Sequence, residues 1–394
     1  MAVTIGVPRE TFPGERRVAL VPRSCEALGK LGASVIVEQS AGAEAGSPDE
    51  QYSSRGARLA SRSEVFQADI IAQVRSLGAN PEAGRADISL LHPGQTIIGF
   101  GEPLTALDQD SELAKAGVSF FAMELMPRIT RAQSMDALSS MATIAGYKAV
   151  LLAATALPKI FPMLMTAAGT VTPARVLVLG AGVAGLQAIA TARRLGAVVH
   201  GYDVRSAVRE QIESLGAKFV VLDIDTGASE DKGGYAKAMG EEFYRRQREL
   251  LTNVIREQDV VISTAAVPGK KAPILITTEM AEALAPGSVI VDVAAERGGN
   301  CELTRPGETV VHQGITILGP LNLASSAPYH ASQMYSSNVT SFLKLMLAKD
   351  GSFKINRDDE IIRETLVTFG NEVVHARVNE LLGSTPATQA GGGR

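Results

Sequence analysis

Cysteine is nearly absent from this chain: Cys25 and Cys301 are the two among 394 residues. Two thiols in a chain this long do not make a disulfide framework, and they fit a reducing, cytosolic compartment. A surplus of basic charge is missing too. The formal net charge is −4, which leaves no electrostatic footprint for nucleic acid. Long apolar runs are also lacking. The longest, Val150–Leu157, falls far short of the roughly 20 residues a membrane helix needs, so the chain is expected to be soluble by itself, which leaves docking onto a membrane complex open. The first residues, MAVTIGVPRE, carry no basic-then-apolar signal region. The five histidines, His92, His200, His312, His330 and His375, form no triad and no ligand-spaced set, and no Cys/His cluster has metal spacing, so no metal is expected. His92, in LLHPG, is singled out because a loop follows its expected strand. No repeat of solenoid period is present.

What is present is an ordinary globular balance, 45% hydrophobic and 20% charged. The length makes two domains the expectation. Val3–Val7, Val35–Glu38 and Ile70–Val74 read as strands, with a helix over Arg23–Leu31 between the first two. Strands alternating with helical patterns imply βαβ units and parallel sheets. Ala137–Met165 reads as mostly helix, interrupted by Pro158 and Pro162. Strands are then expected at Val176–Leu179, Val198–Tyr202, Phe219–Leu222, Val260–Ser263, Val289–Val293 and Ile315–Leu318, with helices over Val183–Leu195, Ala207–Leu215 and Thr278–Leu284. The polar, Gly-rich stretch Thr226–Gly240 reads as a functional or disordered loop. A helix over Tyr329–Leu347 returns to complete the first domain.

The expected fold is therefore α/β, with two Rossmann-like domains on parallel sheets, separated by a cleft and linked by long helices. Residues 1–136 with 325–382 form the first domain, 137–324 the second, and 383–394 (GSTPATQAGGGR) a flexible tail.

The strongest chemistry lies in RVLVLGAGVAGLQAIATARRLGAVVHGYDVR. Gly180-x-Gly182-x-x-Gly185 follows a strand directly and opens a helix. Gly180 permits the tight turn, Gly182 lets the backbone approach a pyrophosphate, and Gly185 lets helix and strand pack closely. Phosphates then meet the unpaired N–H groups and positive dipole end of the helix. The next strand ends at Asp203, 18 residues after Gly185. A carboxylate there accepts ribose hydroxyls and repels a 2′-phosphate, which favours NAD(H) over NADP(H). Arg205 stands close enough to neutralise such a phosphate, but it follows Asp203 and does not replace it.

Longer runs go further: AMELMPRITRAQSMDALSSMATIAGYKAV, MTAAGTVTPARVLVLGAGVAGLQAIATARRLGA, GGYAKAMGEEF, and VPGKKAPILIT followed by GSVIVDVAAERGGN. On these, over nearly its whole length, the chain resembles the soluble NAD(H)-binding alpha subunit (domain I) of proton-translocating NAD(P) transhydrogenase, with the alanine dehydrogenases as related proteins. The resemblance implies direct hydride transfer from NAD(H) bound here to NADP(H) on a partner subunit, and a membrane subunit that moves the protons. It also implies a homodimer lying in the cytoplasm on the inner face of the cell membrane. It places an Arg–Gln–Asp loop at Arg128, Gln133 and Asp136, on the nicotinamide side. It implies a mobile loop around Gly233, Gly234 and Tyr235, and further nucleotide contacts at Val183, Val204, Arg205, Gln247 and Ala266. Ala266 departs from the bulkier leucine common in the family. The residues alone favour a solvated interdomain turn that caps the following helix, with Asp136 as its N-cap; the resemblance reverses that preference.

An alanine dehydrogenase-like activity is the alternative. It requires a cation for the substrate carboxylate and an acid–base group. Arg17 (GERRVAL) matches such a cation. Arg75 (IIAQVRSLG) and Glu102 (GFGEPL) stand where the lysine and histidine of alanine dehydrogenases are expected. A transhydrogenase needs only to position nicotinamide rings, so proximity is its main device.

Overall fold

The computed structural model describes residues 2–222, 241–267, 269–348 and 351–384. The chain divides into two compact units, Met1–Ser140 with Pro328–Arg394, and Met141–Ala327.

Among the described residues the first unit carries an eight-stranded sheet. Its spatial order is Glu372–Val373, Leu366–Phe369, Ser119–Ala122, Thr96–Phe100, Ile70–Arg75, Thr4–Val7, Ser34–Glu38 and Arg58–Ala60. The six strands from the N-terminal segment are parallel, and the other two add antiparallel at one edge. Numbered along the chain, the parallel part runs 3-2-1-4-5-6, the doubly wound order. Helices on both faces explain why Ile70–Val74 is apolar and buried almost throughout.

The second unit repeats the order. Lys218–Phe219, Val198–Tyr202, Arg175–Leu179, Val260–Ser263, Val289–Asp292 and Ile315–Leu318 are parallel, and Thr309–His312 closes the edge antiparallel. Val176, Val178, Ile262 and Val291 pack on one side with Ala188, Ile189 and Ala192 of the helix Val183–Arg194. Leu177, Val261 and Ile290 face a second layer with Leu251 and Ile255.

The structure corrects several expectations. The helix after Asp136 spans Ala137–Ala156 and stops before Pro158, as the ring geometry of proline requires. The following residues are not helical: Leu164–Thr166 and Gly169–Val171 form a β-hairpin, turned at Gly169 with φ +123°. Its β-branched and small residues suit a hairpin better than a helix. The helix is also longer than the apolar run Val150–Leu157 implies. Its 20 residues are enough, by length and composition, to cross a membrane, because Ser139, Thr143 and Lys148 interrupt the apolar run but not the helix. Ala149, Val150 and Ala153 nevertheless lie in the core of the second unit. At Gly146 an added Cβ would stand 2.1 Å from the carbonyl oxygen of Ala184, the close packing of a core helix. The residues before His92 form a 3-10 helix, Ala83–Leu90, not a strand. Strands at Arg58–Ala60, Thr96–Phe100, Ser119–Ala122, Thr309–His312 and Leu366–Phe369 are additional to those expected.

Candidate functional site

The three glycines of the fingerprint are each required by local geometry. Gly180 turns the chain at φ +94° directly after the strand Arg175–Leu179. A side chain on Gly185 would place its Cβ 1.8 Å from the carbonyl oxygen of Gly180, so only hydrogen fits where the helix returns past the turn. Gly182 is the opposite case: among the described residues, its chain neighbours aside, no atom lies within 4 Å of the Cβ position. It is the N-cap of the helix Val183–Arg194 and offers no side-chain cap to the first-turn N–H groups. Open space in front of uncapped N–H groups at the positive end of a 12-residue helix is a cradle for an anion. Val183 borders it and is exposed.

Asp203 directly follows the second strand of this unit, Val198–Tyr202, and is buried. Its Oδ2 accepts the backbone N–H of Ala181 at 2.7 Å, so the acid braces the glycine turn. Arg205 grips the same carboxylate: its backbone N–H and Nε reach Oδ1, each at 2.9 Å, and Nη2 reaches Oδ2 at 2.8 Å. Val204 between them is half-buried. The four residues thus converge, and the carboxylate is already matched by a cation. Gln247 is fully buried and donates from Nε2 to the Tyr202 hydroxyl at 2.7 Å. The amide supports the second strand from behind and faces no solvent. Gly234 and Tyr235 lie outside the described residues.

Two residues that sequence reasoning passed over hold the neighbouring loops. Thr264, after the fourth strand, donates from Oγ1 to the Gly180 carbonyl at 3.0 Å. Asn300 clamps the next residue from both sides, accepting from the Ala265 N–H at 3.0 Å and donating to its carbonyl at 2.8 Å. Buried Asp292 in turn fixes Asn300 and Cys301 by their N–H groups and Thr304 by its hydroxyl. Ala266 emerges exposed from this braced segment. A buried aspartate ending a strand shortly before Gly-Gly-Asn was the available signal.

In the first unit the Arg–Gln–Asp segment is a 3-10 turn, Thr130–Met135. Arg128 and Gln133 are exposed, while Ala132 and Met135 are buried beneath them. Asp136 caps the following helix: Oδ1 accepts the Ser139 N–H at 2.8 Å and Oδ2 the Ser139 hydroxyl at 2.6 Å. Its carboxylate oxygens are committed to that cap.

The switch point of the first sheet, between Thr4–Val7 and Ile70–Arg75, holds a charged cluster. Arg17 is buried and grips Glu15 in a fork, with Nε to Oε1 at 2.7 Å and Nη2 to Oε2 at 2.6 Å. Arg75 reaches the same carboxylate at 3.1 Å and stacks on the Phe12 ring at 4.1 Å. Burial opposes ionisation of Glu15, but the Arg17 hydrogen bonds and the two guanidinium charges prevail and hold it down at about 2. Glu102 has the left-handed φ of +53°, and its N–H donates to Glu124. His92 sits in the turn before Thr96–Phe100, at the amino end of the parallel strands. Arg17, Arg75 and Glu102 follow the carboxyl ends.

With this geometry established, relatives separate the possibilities. Residues 6–145 match the family described as alanine dehydrogenase/PNT, N-terminal domain, and residues 149–376 its C-terminal domain. The first portion of the NAD(P) transhydrogenase alpha subunit of Rhodospirillum rubrum is 46% identical over 375 residues, covering 94% of this chain and 97% of that protein. The chain belongs to the alanine dehydrogenase/PNT family, among the NAD(P) transhydrogenase alpha subunits. The crystal structure of the transhydrogenase from Sinorhizobium meliloti superposes with a TM-score of 0.85 at 43% identity, covering 94% of this chain and all of that one. The alanine dehydrogenase of Bacillus subtilis is more distant, at 28% identity over 96% of this chain and 94% of that protein. Family membership thus agrees with the doubly wound order found in both units.

Proposed function

We propose that this chain is the NAD(H)-binding subunit of a proton-translocating NAD(P) transhydrogenase. The observation that carries the reading is the cradle at Gly182, closed on one side by Asp203. The residues fit a dinucleotide: Gly182 leaves room for a pyrophosphate, the uncapped helix end supplies N–H donors, and Asp203 supplies a ribose acceptor. Bound there, NAD(H) supplies the hydride that is exchanged directly with NADP(H) held by a partner subunit. The chain's task is to orient the nicotinamide end, a role we assign to Arg128, Gln133 and Asp136. Val183, Val204, Arg205 and Ala266 line the nucleotide, with Gln247, Gly234 and Tyr235 completing its surroundings. Coupling to protons belongs to a membrane subunit, on which this chain docks from the cytoplasmic face.

A dehydrogenase acting on an amino acid is less well supported. Arg17 and Arg75 already share the buried carboxylate of Glu15, and Glu102 stands where an acid–base histidine is needed. A homodimer is supported by the hairpin Leu164–Val171. Met163, Leu164, Met165 and Val171 are all exposed there, Met165 at 79%, and contiguous apolar surface of this kind marks an interface.

The deciding experiment mixes the chain with an NADP(H)-binding transhydrogenase subunit and follows hydride transfer from NADH to an oxidised NADP analogue. Transfer is expected. Its absence, with both nucleotides shown to bind, defeats the proposal, and NADH production from alanine and NAD by the chain alone favours the dehydrogenase.

A further inference from the structure

The turn that carries Gln133 opens on a 3.0 Å bond from the Ala132 N–H to the Ile129 carbonyl. It is a six-residue 3-10 helix, a form with weaker hydrogen-bond geometry than the α-helix. The bond that closes it, from the Asp136 N–H to the Gln133 carbonyl, is long at 3.4 Å. Gln133 itself is exposed, so burial does not fix it. Two ties from the C-terminal segment flank it instead. Two residues before it, Arg131 forms a two-pronged pair with Asp359, at 2.6 and 2.8 Å. One residue after it, the Ser134 carbonyl accepts a hydrogen bond from Asn338 Nδ2 at 2.9 Å.

Both supports are themselves held by neighbours. Asp359 also caps the helix Glu360–Thr365 by accepting the Ile361 N–H at 2.9 Å, and the Arg131 hydrogen bonds hold its carboxyl below the ordinary carboxylate range. Asn338 is buried on the helix Pro328–Leu343, beside fully buried Tyr335, Val339 and Phe342. A side chain locked by its neighbours transmits position in a way that a flexible one does not.

We infer that Asn338 and the Arg131–Asp359 pair are positioning groups for hydride transfer, holding the turn Thr130–Met135, and Gln133 with it, in the arrangement that the role proposed for Gln133 requires. The inference rests on the transhydrogenase reading above. Arg131 is half exposed, so its ion pair adds little to folding. Loss of the pair therefore registers in the geometry of the turn, and a misplacement of about 1 Å slows a reaction that depends on proximity by up to about a hundredfold.

The test uses the full chain with its NADP(H)-binding partner subunit and four variants. Asp359→Asn keeps a good helix cap while removing the charge that holds Arg131, and Asn338→Ala removes the tie to Ser134. Each is expected to lower the maximal transfer rate by about tenfold, within the range that misplacement produces. The dissociation constant for NADH and the melting temperature of Asp359→Asn should stay near those of the wild type. A merely structural role would lower melting temperature and rate together. The combination Gln133→Ala with Asp359→Asn should transfer no more slowly than Gln133→Ala alone, because residues acting as a unit are not additive. Full additivity overturns the inference, as does a wild-type transfer rate in Asp359→Asn. Absence of transfer by the wild-type pair overturns the transhydrogenase reading and this inference with it.

Discussion

Asp203 and Ala181 are joined by a 2.7 Å hydrogen bond from the Ala181 N–H to the Asp203 carboxylate. The acid to which the ribose is assigned under the proposed function is thus also a brace of the glycine turn, and Arg205 holds the same carboxylate. Asp203→Asn retains an acceptor for Ala181 but releases Arg205 from its ion pair. A lost charged hydrogen bond is worth about 1.5–3 kcal/mol, so NADH binding should weaken by about ten- to a hundredfold. NADPH binding should strengthen as Arg205 becomes available to a 2′-phosphate. Fluorescence titration of both nucleotides measures the ratio; an unchanged preference would refute the pairing argument.

Gly182→Ala and Gly185→Ala should part company. The methyl group at position 185 would sit 1.8 Å from the Gly180 carbonyl oxygen, an overpacking that costs about 1–3 kcal/mol. At position 182 the methyl group meets no atom of the described residues beyond its chain neighbours within 4 Å, so stability should hold while nucleotide binding falls. Thermal melting with and without NADH separates the two. Equal melting temperatures for the two variants would contradict this account of the turn.

Gln133→Ala should leave NADH binding nearly intact and slow transfer in the complex, because the exposed amide is assigned to orientation and not to affinity. Loss of binding with unchanged transfer at saturation would remove Gln133 from that role.

Asp110 gives a pH dependence. It is 1% exposed in the helix Leu107–Lys115, and neither carboxyl oxygen has a partner among the described residues. Burial, then the charge of Glu124, push it up to about 8, and burial, then Glu102, likewise push Glu124 up to about 7. An acid raised in the folded state keeps its proton while the unfolded chain gives its proton up. Stability is therefore lost as pH rises from the unfolded value, near 4, through the folded one. Asp110→Asn removes that loss: it should change little at pH 4 and raise the melting temperature at pH 8. Glu15 acts with the opposite sign, its stabilisation fading as pH falls from the ordinary range towards about 2. An Asp110→Asn melting curve parallel to that of the wild type from pH 4 to 8 would disprove the assignment.

Met165→Asp places a charge on the exposed hairpin and should shift the chain from dimer to monomer in sedimentation, with NADH binding retained. A wild-type chain that sediments as a monomer excludes the hairpin as a dimer contact.

The second unit was the more legible in sequence, because each of its signals is local. A glycine spacing, a strand before it and an acid 18 residues on are all read within one βαβ unit. Its strand at Thr309–His312 escaped, since an exposed edge strand with polar alternation carries little apolar pattern. In the first unit, Leu366–Phe369 joins Ser119–Ala122 across some 245 residues, and no local pattern announces that pairing. The hairpin at Leu164–Val171 was hidden because its apolar residues face outward, which makes them look like a helix core. The brace at Thr264 and Asn300 and the flanks of Gln133 are likewise long-range: individual polar residues become meaningful only when the fold brings their partners to them.

The tether between Gln133's turn and residues 338 and 359 also dictates when the site is completed. Synthesis runs from the N-terminus, and domains fold largely as units as they emerge. The second unit, Met141–Ala327, is fully translated before Asn338 and Asp359 exist. The glycine cradle is thus free to form first, on a nascent chain whose turn Thr130–Met135 still lacks both anchors. A released fragment ending at Ala327 should already bind nucleotide, and the turn around Gln133 should be protected from proteolysis only in chains that include Asn338 and Asp359.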